Sequence, residues 1–211
     1  LRALVDAVYR VGSFLGQNDG ERLFAHQFGD GFLVTSSFFG PERLRPIEVV
    51  VAIHRHLLAQ NIAVKSAITS GEMTDVLGCY PRAIAMCSRC GSSASMGSGV
   101  ITLSPVMGLG LIGAHELSGR CRGAVVIASR EICQTNDELV VADLGLGCAT
   151  IDWVHSNLPG AVRIARGAGL QIPNVDECER LIWELVSDTR QIPAEWRSAT
   201  IRHNNLAVEN P

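Results

Sequence analysis

Apolar residues recur along this chain at two different spacings. The first is helical: Leu1, Leu4, Val5, Val8, Val11 and Leu15 share one face over residues 1–16. Gly16 and the polar run Gln17-Asn18-Asp19-Gly20 close that helix. The spacing then shortens. Leu23-Phe24-Ala25 and Phe32-Leu33-Val34 flank Gly29-Asp30-Gly31, which predicts a β-hairpin with a carboxylate at its tip. Asp-Gly tolerates the positive φ of such a turn. Asp30 therefore reads in two ways, as turn chemistry or as a ligand for a divalent cation.

Phe39-Gly40-Pro41-Glu42 breaks the strand and opens a second helix. Ile47, Val50, Val51, Leu57 and Leu58 form its buried stripe. Arg45 and Arg55 fall on the opposite face, and His54 and His56 are read as packing or surface histidines. Ile62 to Thr69 reads as a strand ending at Ser70-Gly71-Glu72. A helix between strands predicts an α/β sandwich with the sheet covered on one face.

Thr74 to Gly99 is poorly patterned, and its Ser/Gly-rich end, Ser88 to Gly99, is read as a loop; the alternative is a lid over a phosphate. Ser104-Pro105 starts a third helix running through Leu117. Gly108, Gly110 and Gly113 each weaken it by roughly 1 kcal/mol relative to alanine. Another helix or a ligand must therefore approach that backbone closely. Gly123 to Ser129 reads as a strand, followed by strands at Glu138–Ala142 and Ala149–Val154. After Pro159 the pattern turns helical over Ala161–Leu170, Val175–Thr189 and Ala194–Ile201. Trp183 and Trp196 are read there as packing anchors.

Composition narrows the classes. The chain is 47% hydrophobic and 18% charged, with formal net charge −3, which describes a compact soluble protein without a basic footprint for nucleic acid. No apolar run reaches the roughly 18 residues of a membrane span, and no signal-peptide pattern opens the chain. Leu1 already lies inside a helical pattern, so further residues are expected upstream of it. Seven scattered cysteines argue for a reducing cytoplasm rather than a disulfide framework. Cys87-x-x-Cys90 is half a zinc motif without a second pair, and His115-Glu116 lacks the second histidine of a zinc-protease helix. Lys65 is the only lysine among otherwise arginine basic residues.

The order helix, GD hairpin, helix, strand, glycine-containing helix, strand, with the wording FGDGFLV and MGLGLIGAHELSG…GAVVIAS, resembles the class III nucleotide cyclases over roughly residues 1–155. The resemblance implies an α+β fold: a ferredoxin-like cyclase domain over residues 1–159, its first strand preceding residue 1, and a helical extension over 160–211. It implies a head-to-tail homodimer with active sites at the interface. Two Mn²⁺ or Mg²⁺ ions per site would be held by two aspartates, one of them Asp30 and the other upstream of Leu1. The ribose 3′-hydroxyl of a nucleoside triphosphate would attack the α-phosphate and release pyrophosphate.

Several positions depart from the purine cyclases. His26, four residues before Asp30, stands near the base-reading lysine position, and Pro105 falls at or near the second base-reading position. Ile112 and Glu116 stand where a transition-state asparagine and arginine are expected, and neither stabilises developing negative charge. Arg89, Arg120 and Arg122 are alternative sources of phosphate contacts. The short domain, altered purine readers and helical C-terminus look most like the Pycsar-type cyclases of bacterial antiphage defence. Those make cyclic UMP or cyclic CMP from UTP or CTP in the cytoplasm. Two other readings stay open: a catalytically dead nucleotide-binding or regulatory module, and a purine cyclase.

Overall fold

The computed structural model describes residues 1–18, 23–36, 44–76, 79–82, 84, 93–96, 98–102, 106–134, 137–190 and 192–206. The fold is α+β. Helix α1 (Arg2–Asn18) leads into the hairpin β1 (Phe24–Phe28) and β2 (Gly31–Thr35), then α2 (Arg45–Leu58) and β3 (Ser66–Ile68). Short strands β4 (Met73–Asp75), β5 (Ser93–Met96), β6 (Gly99–Thr102) and β7 (Val106–Gly108) precede α3 (Leu109–Gly119). β8 (Val126–Ser129), α4 (Arg130–Cys133), β9 (Val140–Gly145) and β10 (Cys148–Ile151) follow, then α5 (Pro159–Gly167), α6 (Val175–Ser187) and α7 (Ala194–His203).

The main sheet has the order β3-β8-β10-β9, with β3 parallel to β8 and the other pairs antiparallel. Its two central strands are buried along their length, and their alternate residues point to opposite faces. Val126, Ala128, Ala149 and Ile151 join the large core with α1 and α2. Ile127 and Cys148 join a smaller cluster with Leu117 of α3, Cys121 and Val125. The sheet is thus covered on both faces, where the sequence pattern predicted one. The second cover is hard to read locally because it reduces to a single buried leucine on α3 and a few small residues.

The helices after Pro159 are helical as expected, but they are packed into the core rather than appended to it. Ala161, Ile164 and Ala165 of α5 and Cys178, Ile182 and Leu185 of α6 belong to the same cluster as α1, α2 and the sheet. Trp183 and Trp196 pack against that cluster, as read from the sequence. The peptide of Ala124, just before β8, is held from the C-terminal segment. Its N–H donates to Thr200 Oγ1 (2.9 Å), and its carbonyl accepts from Asn204 Nδ2 (2.9 Å) and from the buried Trp153 Nε1 (3.1 Å).

α3 begins four residues later than the Ser104-Pro105 signal predicts. Val106 to Gly108 are instead a strand, paired antiparallel with β4 in the register Met73↔Gly108 and Asp75↔Val106. Ser104 and Pro105 lie outside the described residues. The glycine at the entry to α3 faces a backbone, while an added Cβ on Gly110 would meet the Met73 sulfur at 3.1 Å and one on Gly113 the Thr69 side chain at 3.5 Å. A Cβ on Gly108 would stand 2.1 Å from the Glu72 carbonyl oxygen, and one on Gly71 would stand 2.6 Å from the Gly110 nitrogen. The 69–73 turn therefore seats directly on the first turn of α3. Lys65 secures the other end, its ammonium donating to the carbonyls of Ser118 (2.5 Å) and Cys121 (3.3 Å), where a cation complements the helix dipole. Gly108→Ala should cost about 1–3 kcal/mol through forced backbone displacement. A thermal melt reads this directly, and an unchanged midpoint would mean that the seat is not closed.

Candidate functional site

The hairpin forms as the sequence predicts. Its register runs from Phe24↔Thr35 to Phe28↔Gly31, leaving Gly29 and Asp30 as a two-residue loop. The positive φ falls on Gly29 (59°), which carries it without a Cβ clash, and not on Asp30. Asp30 is thereby an ordinary-backbone residue whose side chain is exposed at the tip. Gln27 Nε2 donates to the Gly29 carbonyl at 2.9 Å and steadies the loop. Phe32 and Val34 pack against the large core and anchor the base of the hairpin. His26 is half-buried and pairs with Leu33, so it belongs to the face opposite Phe32 and Val34. Among the described residues, β1 and β2 pair with each other as a separate two-stranded sheet.

The glycine-containing helix carries the other positions singled out from the sequence. Ile112 is 55% exposed, and His115 and Glu116 are exposed beside it. Met107 and Leu109, at the entry to α3, are exposed as well. Arg120 is exposed, and Arg122 forms an exposed ion pair with Glu195 of α7. Arg89, Pro105, Cys87 and Cys90 lie outside the described residues, as does half of Ser88–Gly99; within that stretch Ser93–Met96 is not a loop but strand β5, paired antiparallel with β6.

Arg55 corrects the expectation that it sits on a solvated face. It is buried, 4% exposed, on a turn of α2 that is buried all round. Its Nε donates to the Trp153 carbonyl (3.0 Å), and its Nη2 donates to those of Val154 (3.0 Å) and Ser156 (2.6 Å). These belong to the irregular segment after β10, where no strand partner takes the carbonyls. Burial lowers the guanidinium pKa, and the Cys178 thiol and Asp152 oppose that shift.

His54 and His56 are packing histidines, as read from the sequence. His54 is fully buried, edge-on to Trp153 with ring centroids 5.0 Å apart, and its Nε2 lies 2.8 Å from Ser66 Oγ. Burial pushes its pKa down from 6.5 to about 3. His56 Nδ1 accepts from the Gln171 backbone N–H (3.0 Å), and burial lowers its pKa too, as it does that of His203. The linkage is direct. Below pH 6.5 the unfolded chain takes a proton at His54 that the native state refuses until about pH 3. Stability is therefore lost as pH falls through that window. His54 alone should remove about 2 kcal/mol between pH 7 and pH 5. Urea denaturation at the two pH values measures the loss, and His54→Gln should reduce it. An undiminished slope in that variant would place the effect elsewhere.

Sequence reasoning passed over one further cluster. His155 stands between two carboxylates: its Nδ1 is 3.0 Å from both Asp152 oxygens, and its Nε2 is 2.8 Å from Glu179 Oε1 of α6. Its backbone N–H also donates to Asp152 Oδ1 (2.8 Å). Asp152-x-x-His155 after a strand is a visible turn signal. Glu179 is brought in only by the packing of α6. With both ring nitrogens engaged, the imidazole pins the turn after β10 to α6.

Among the described residues, no group of three His, Cys, Asp or Glu side chains is placed to hold a metal ion. Cys79, Cys121, Cys148 and Cys178 are thiols, and burial raises the pKa of Cys178 to about 11 and pushes that of Cys121 up. No helix among the described residues is long and apolar enough to cross a membrane. Comparison with protein-family models, with curated proteins and with solved structures finds no match to this chain.

Proposed function

We propose that this protein is a nucleotide cyclase of class III type, converting a pyrimidine nucleoside triphosphate, UTP or CTP, to its 3′,5′-cyclic monophosphate and pyrophosphate. The observation that carries this reading is Asp30. An exposed carboxylate stands at the loop of a core-anchored hairpin, between α1 and α2, in a chain that continues strand, glycine-seated helix, strand. That is the position at which the family resembled places a metal aspartate.

Asp30 would hold Mg²⁺ or Mn²⁺, ions that are bound through one or two carboxylates together with substrate phosphates. Asp30 would supply one of the two carboxylates that the resemblance implies. When bound, the metal supplies charge neutralisation at the triphosphate and acidifies the attacking hydroxyl. His26, on the strand leading to Asp30, is assigned to the base. In the reaction the 3′-hydroxyl gives its proton to solvent, its oxygen forms a bond to the α-phosphorus, and the bond from the α-phosphorus to the bridging oxygen breaks, that oxygen leaving with pyrophosphate. The enzyme acts as a homodimer in the cytoplasm, and its product is a second messenger in antiviral defence.

A second reading rests on α3. Ile112 and Glu116 offer no donor to developing negative charge, which favours a cyclase-like module that binds nucleotide or regulates without turnover. One experiment separates the readings. Purified full-length protein is incubated with ATP, GTP, CTP and UTP separately, with Mn²⁺, and products are identified by mass spectrometry. A single cyclic pyrimidine monophosphate is expected. A cyclic purine would keep the cyclase and overturn the base assignment. No product from any triphosphate, in a protein that light scattering shows to be a folded dimer, would favour the regulatory module.

A further inference from the structure

We draw no further inference here: the strongest candidate, the exposed apolar side chains Met107, Leu109 and Ile112 at the junction of β7 and α3, carries none because nothing among the described residues shows what covers them.

Discussion

Replacing Arg55 by methionine is expected to destabilise the protein by about 2–5 kcal/mol, because buried carbonyls lose the charged donor to which they are bonded. The substitution keeps most of the aliphatic bulk of this buried side chain. What it removes is the planar fork that reaches the carbonyls of Trp153, Val154 and Ser156. Each buried acceptor left without a donor costs roughly 1–3 kcal/mol. Relief from burying the guanidinium offsets part of that sum. The loss is large beside a whole-domain stability of about 5–15 kcal/mol. Arg55→Lys is a useful companion. A single ammonium keeps the charge but cannot present the same fixed donors, so it should rescue only part of the loss. Urea midpoints measure both variants. A methionine variant within about 1 kcal/mol of the parent would mean that the 153–156 segment finds its donors elsewhere.

Asp30→Asn is the corresponding test of chemistry. The exchange removes one charge from an exposed loop whose positive φ is carried by Gly29, so stability should stay within about 0.5 kcal/mol. Turnover should fall by on the order of 100-fold or more, because metal stabilisation of transition-state charge is worth several kcal/mol. The product assay, run beside a melt, reads both quantities. A drop in turnover with an unmoved melt is the expected pair. Full activity in the variant would remove Asp30 from the metal site, and with it the observation on which the functional reading rests.

The two tests differ in how far their residues could be read from the chain. The hairpin that carries Asp30 was legible because its signal is local: two apolar runs, two glycines and an aspartate within fifteen residues. Arg55 was not. Its helix turn, Ile53 to Leu58, places His54, Arg55 and His56 together between apolar residues, and such a polar triplet reads by convention as the solvated side although all of it is buried. Its partners lie 98 to 101 residues away. No periodicity reports a contact at that distance. Glu179 escaped for the same reason, while its partner pair Asp152 and His155 sat in a turn that could have been noticed.

Local order was set by the sequence itself. The amphipathic helices α1, α5 and α6, the Gly29-Asp30 hairpin and the strand before α4 follow from apolar spacing and turn residues. Those depend on backbone geometry within a few positions. Tertiary structure decided the rest. It placed the start of α3 at Leu109, because Val106 to Gly108 pair with β4 and Gly108 seats against the Glu72 carbonyl. It drew the C-terminal helices into the common core and closed the second face of the sheet with α3. Each of those outcomes depends on which distant surfaces exclude water and pair polar groups together, and spacing along the chain carries no record of that.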